Sequence, residues 1–93
     1  MKQNSRIKNA YGIVNKDVIT DPSFNFGQKA LYAYLCTYAD VNNELHVSIN
    51  RISAECDVGH STVKRILDQL FKKGVISRER RGPGQSYRTI LLK

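Results

Sequence analysis

The segment CDVGHSTVKRILDQLFKKGVI, residues 56–76, sets the tightest constraint on what this chain can fold into. Val63, Ile66, Leu67, Leu70 and Phe71 recur at helical spacing, so a helix from about His60 to Lys73 must hide one side and wet the other. Gly74 follows where a left-handed C-terminal residue is wanted, and Lys72 and Lys73 in the last turn suit the helix dipole. Just upstream, Ser48 is placed to cap a shorter helix whose Ile49, Ile52, Ser53 and Cys56 share one face. Asp57-Val58-Gly59 is the turn between them. Two helices joined so closely bury their stripes by crossing, which is the geometry of a helix-turn-helix. Small Ser53 lets the second helix cross closely, Val58 is expected to plug the space between the pair, and Ile52, Val63 and Leu67 fill the contact.

A third helix precedes this pair. Asn25 caps it with Gln28 at the capping-box position. Phe26, Ala30, Leu31, Tyr34, Leu35 and Tyr38 make its expected core stripe. Its other side, with Tyr32, Ala33, Cys36 and Ala39, is also apolar, so something must cover it. The N-terminal segment is one candidate, and a homodimer partner meeting the first long helix and that segment is the other. Before it, Tyr11–Val14 reads as a short strand, Asn15–Ile19 as one helical turn with Val18 and Ile19 facing inward, and Asp21-Pro22-Ser23 as a turn. Leu45-His46-Val47 reads as a very short strand.

After Gly74 the periodicity changes. Val75–Arg81 and Gln85–Leu92 are β-leaning runs about Gly82-Pro83-Gly84, the pattern of a hairpin. The expected fold is mainly α with a small β-hairpin wing on a three-helix core, a winged helix-turn-helix. Ninety-three residues hold one core, so residues 11–93 are expected as a single domain and residues 1–10 as a flexible basic arm.

Charge then points to a partner. Residues 1–59 carry six basic and six acidic side chains, whereas residues 60–93 carry nine basic and two acidic, so the last third holds the whole net charge of +7. Such segregation suggests a polyanion footprint, against the plainer reading of a soluble surface. A helix-turn-helix puts the first turns of its second helix in the major groove, where side chains must reach base edges or phosphates. His60, Ser61, Lys64 and Arg65 lie away from the apolar stripe and meet that need, with Thr62 at the margin. The free N–H groups of the helix start attract phosphate as well.

Other chemistry finds little support. His46 and His60 stand fourteen apart with no cysteine or carboxylate at metal-ligand spacing, so no metal or cofactor is expected. No phosphate-binding Gly loop, nucleophile elbow or paired-carboxylate arrangement appears, so no enzymatic activity is expected. Tyr11, Tyr32, Tyr34, Tyr38 and Tyr87 read as core or interface residues rather than base-stacking platforms. Cys36 and Cys56 read as reduced packing residues, with a disulfide as the alternative. Met1–Ala10 lacks the apolar stretch of a signal peptide and no apolar run reaches bilayer length, so the chain is expected in the cytoplasm, at nucleoid or plasmid.

The run SINRISAECDVGHSTVKRILDQLFKKGVI resembles the winged helix-turn-helix domains of Gram-positive phage and plasmid DNA-binding proteins, both regulators and replication initiators. In these, Thr-Val opens the recognition helix after a Gly-Val-Ser turn, and a Leu…Gly-Leu-Ile pattern leads into the wing. Thr62-Val63, Leu70, Gly74 and Val75-Ile76 match, and FNFGQKALYAYLCTYAD is similar to the first helix of that family. The likeness extends over about residues 11–92. Asp57 stands where the turn glycine is usual and Gly59 where a capping serine is usual.

The resemblance implies that the hairpin is a wing whose Arg78, Arg80, Arg81 and Arg88 lie along phosphates or reach a minor groove. The plainer reading is a solvated hairpin whose charges protect a sheet edge. Lys2, Arg6 and Lys8 enter a minor groove or belong to a disordered tail. The function it implies is sequence-specific binding of double-stranded DNA by a small transcriptional regulator of a mobile genetic element. A replication initiator or replisome organiser is the first alternative, and a protein-binding winged helix acting as an inhibitor is the second.

Overall fold

Among the described residues, three of the four helices begin at a side chain that takes up a free N–H group. In the computed structural model, which describes residues 11–80 and 87–93, the elements run α1 (Lys16–Ile19), α2 (Phe26–Cys36), β1 (Glu44–Leu45), α3 (Ile49–Cys56), α4 (His60–Lys72), β2 (Ile76–Arg80) and β3 (Tyr87–Leu91). The arm expected over residues 1–10, and Arg81 with the tip Gly82-Pro83-Gly84, lie outside the described residues. Asn15 Oδ1 accepts from the Asp17 N–H at 2.8 Å to start α1. Asn25 and Gln28 form a full capping box, with Oδ1 accepting from Gln28 N–H at 2.8 Å and Oε1 from Asn25 N–H at 3.0 Å. Ser48 Oγ accepts from the Arg51 N–H at 3.1 Å. Beyond α4, Gly74 takes φ +78°, the left-handed conformation a glycine holds without strain, and the Val75 N–H turns back to the Leu70 carbonyl.

The core is one cluster joining all the helices to the sheet. Leu31, Tyr32 and Leu35 of α2 meet Ile52 of α3, Val63, Leu67 and Leu70 of α4, and Val75, Ile76 and Leu91. The hairpin is present, and β1 adds to it, making a three-stranded antiparallel sheet of order β1-β3-β2. The sequence suggested a strand near Leu45 without a partner. Its pairing of Glu44 with Ile90 and Leu45 with Thr89 is long-range and leaves no local signal.

Two local expectations are corrected. Tyr11–Val14 forms no strand; it is exposed and irregular, and Gly12 presses on the end of α2 so closely that a Cβ would lie 2.7 Å from the Cys36 carbonyl carbon and oxygen. The stripe of α2 is rotated: Phe26 is 87% exposed, while Gln28, Leu31, Tyr32, Leu35 and Cys36 are buried. Polar bonds explain the rotation. Gln28 caps its own helix and donates from Nε2 to Gln69 Oε1 on α4 at 3.0 Å. The Tyr32 hydroxyl accepts from the Asn15 N–H at 2.8 Å and donates to the Lys93 carbonyl at 3.1 Å, so a tyrosine goes fully inside. The chain's own N-terminal segment therefore covers this part of α2.

Across the molecule, Tyr34 of α2 and Tyr38 just beyond it both donate to Glu55 Oε1 of α3, at 2.6 and 2.5 Å. The two hydroxyls hold the Glu55 carboxyl below its ordinary range, and burial followed by this carboxylate pushes the Tyr34 phenol up. A depressed carboxylate contributes stability that is present above its unfolded pKa of about 4.3 and lost as pH falls through the lower folded value. Glu55→Gln should therefore lower Tm at pH 7 relative to wild type, and the gap should shrink below about pH 4. Thermal melts showing a gap independent of pH would remove this role for Glu55.

Candidate nucleic-acid interface

The turn between α3 and α4 is built by one serine and one aspartate. Asp57 ends α3 in the left-handed region at φ 57° and ψ 49°, a conformation that aspartate tolerates better than most residues. Ser53 binds the turn from both sides: its carbonyl accepts the Val58 N–H at 3.2 Å, and its Oγ donates to the Val58 carbonyl at 2.5 Å. Ser53 was expected only to be small, yet its hydroxyl closes the turn. Val58 does not plug the space between α3 and α4. It is 38% exposed and lines a shallow apolar groove of about 160 Å³ with Gly27, Ala30, Leu31, Cys56, Val63 and Ile66. Asp57 and the Ser53 bonds turn the chain without a filling side chain, while Ile52, Val63 and Leu67 occupy the buried contact.

With that side of α4 buried, the opposite side is fixed outward. His60, Ser61, Lys64 and Arg65 are exposed and Thr62 is half-buried at the edge. Gly59 offers no side-chain cap to the first N–H groups of α4. Of the cations on and just after this helix, Lys72 is paired with Asp68 at 3.1 Å, and Lys73 donates to the Ser23 carbonyl at 2.9 Å while lying over the Phe24 ring. Lys64 and Arg65 make no ion pair among the described residues. His60 is different: its Nε2 is 2.7 Å from Asn50 Oδ1 and its Nδ1 is 3.4 Å from Ser53 Oγ, so the ring leans back onto α3.

The hairpin arginines do not form one row. Antiparallel register sets Arg78 opposite Thr89 and Arg80 opposite Tyr87, while Arg88 lies opposite Glu79. Strand alternation gives Arg78 the face of buried Ile76 and gives Arg88 the other. Arg88 is held by two carboxylates on that face, with Nε 3.2 Å from Glu44 Oε1 and its guanidinium 3.4 Å from Glu79 Oε1. It ties the outer strands β1 and β2 across β3. Arg81 lies outside the described residues.

Three groupings were not foreseen. The Asn50–His60 and Tyr–Glu55 contacts join residues of different elements and leave no local signal in the sequence. His46 is brought to Asp40 and Glu44, with Nε2 at 3.0 Å from Asp40 Oδ2 and 4.0 Å from Glu44 Oε2. These are ligand types for a divalent cation, and they correct the expectation that no carboxylate accompanies either histidine. Each carboxylate is already engaged, however. Asp40 Oδ1 accepts from the Asn42 and Glu44 N–H groups, which hold its carboxyl below the usual range, and Glu44 holds Arg88. Cys36 and Cys56 are both free thiols, the first buried and the second half-buried.

Residues 26–76 match the model of the helix-turn-helix domain family. The chain belongs to that family. The match spans α2, α3, α4 and the opening of β2, so the family's pattern resides in the three-helix core that presents the exposed row of α4. The fold is also similar to that of a MarR-like transcriptional regulator from Thermotoga maritima, with a TM-score of 0.58 and 17% identity over 98% of this chain. This chain spans 59% of that longer one. No curated protein matches the sequence. The likeness establishes a winged helix here, mostly helical with a small antiparallel sheet. No helix among the described residues is long and apolar enough to cross a membrane.

If Arg88 is a tie within the sheet, Glu44→Gln and Arg88→Met should each destabilise slightly, and a double-mutant cycle by urea unfolding should return a coupling of up to about 1 kcal/mol. A coupling of zero would leave Arg88 free for another role.

Proposed function

We propose that this helix-turn-helix protein binds double-stranded DNA in a sequence-specific way and acts as a small transcriptional regulator of a mobile genetic element. The observation that carries this reading is the row Ser61, Lys64 and Arg65 at the start of α4, exposed opposite its buried stripe and without an ion pair among the described residues. Inserted in a major groove, Lys64 or Arg65 pairs with guanine O6 and N7, Ser61 and Thr62 reach bases or phosphates, and the uncapped helix start faces the backbone. His60 stands at the edge of this row. Arg78, Arg80 and Arg81 supply the flanking phosphate contacts from the wing, and Arg88 contributes less because two carboxylates already hold it.

The mobile-element setting rests on the resemblance to phage and plasmid domains, and a regulator of this kind works in the cytoplasm. Dimerisation belongs to the same proposal: Ile13, Tyr11 and Phe26 are 91%, 67% and 87% exposed and offer apolar surface for a second copy. Sedimentation at micromolar concentration showing only a 10.6 kDa species would remove the dimer.

Selection from a random-sequence duplex pool followed by gel shift tests the main reading. With five cations on phosphates or bases, log K should fall with log salt at a slope of about −4 to −5. Lys64→Ala with Arg65→Ala should flatten that slope by about 2, and a lost guanine contact costs about 1–3 kcal/mol at one base pair. Arg80→Ala with Arg81→Ala should weaken all sequences alike. Absence of any selected duplex would leave the protein-binding alternative, and genomic sites clustered at an origin instead of promoters would favour a replication role.

A further inference from the structure

The contact between His60 and Asn50 carries an assignment that the exposed row alone does not. Asn50 is the second residue of α3 and is exposed, and the first residue of α4 reaches it across the turn. His60 Nε2 lies 2.7 Å from Asn50 Oδ1, while the other ring nitrogen lies 3.4 Å from Ser53 Oγ. Ser53 has one hydroxyl proton, and it goes to the Val58 carbonyl. Because Asn50 presents its oxygen, Nε2 carries the proton of that bond, and Nδ1 only lies near Ser53 Oγ. A side chain placed so is poorly presented to a base edge, although the sequence marks it as a reader.

The consequence falls on Asn50. With one lone pair of Oδ1 engaged by His60, the amide is held in one orientation and its NH2 group serves as a donor. Asparagine reads adenine by accepting from N6 and donating to N7 at once, and turning the amide into that fork would strain its bond to His60. A donor alone suits an oxygen of the phosphodiester backbone. We propose that Asn50 donates to a DNA phosphate and that His60 is the positioning residue that orients its amide. This assignment rests on the DNA-binding reading above and adds to it a backbone contact on α3, with His60 acting through its neighbour.

A methylphosphonate scan of the selected duplex tests it, with neutral groups replacing phosphates one at a time. Wild-type protein should lose affinity at one position that Asn50→Ala no longer senses, and Asn50→Ala should bind the unmodified duplex about three- to tenfold more weakly for every sequence tested. His60→Ala should show the same loss and the same insensitivity at that phosphate, with no further loss in the double variant. His60→Gln, whose terminal amide can donate to the same oxygen, should restore the wild-type profile. A fold defect would instead lower Tm and weaken binding at every phosphate. If Asn50→Ala keeps the wild-type profile, the phosphate contact is wrong; if His60→Ala keeps it, the positioning role is wrong. If wild-type protein binds no duplex, the DNA-binding reading falls first and this assignment falls with it.

Discussion

Burial of Val63, Leu67 and Leu70 against α2 and α3 decides which way α4 faces, and everything proposed for this protein depends on that choice. A helix with so strong an apolar stripe has one favourable orientation on its core, since turning it would expose side chains that each contribute about 1.5–3 kcal/mol when buried. The reverse side then carries Ser61, Lys64 and Arg65 outward without any further device. The surface row is a consequence of packing, and packing is why it is held rigidly enough to meet a regular partner.

The same helix is located along the chain by the turn before it. Ser53 and Asp57 close α3 and launch α4 through backbone bonds and one left-handed residue, leaving Val58 half outside. This hydrogen-bonded turn does not need an apolar plug, which frees the groove beside Val58 from filling the crossing. His60 adds a polar link between the helices at the outer edge. The start of α4 is thus held by apolar contact beneath and hydrogen bonds beside it.

Charge in this molecule is sorted by what each cation touches. The last third of the chain holds the net positive charge, but Lys72, Lys73 and Arg88 are occupied by Asp68, the Ser23 carbonyl, and Glu44 with Glu79. Lys64 and Arg65 have no such counterpart among the described residues. Formal charge therefore overstates how much of the surface is available to a polyanion, and Glu44, which lies in the neutral first part of the chain, reduces it from across the sheet.

Helix starts, left-handed Gly74 and the inward Val63, Leu67 and Leu70 of α4 were legible in the sequence because they depend on residues within one or two turns of one another: Asn25 with Gln28, Ser48 with Arg51, Gly74 after Leu70; Phe71, expected in the same stripe, is exposed. The existence of the hairpin was legible for the same reason. What only the tertiary structure decided is everything that joins distant residues. Gln28 turned inward because Gln69 was there, Tyr32 because Asn15 and Lys93 met its hydroxyl, and β1 became a strand because β3 offered an edge. Arg88 and His60 show the limit most clearly: as sequence they are a cation and an imidazole on exposed faces, and the fold gives each a partner on another element that changes what it is free to do.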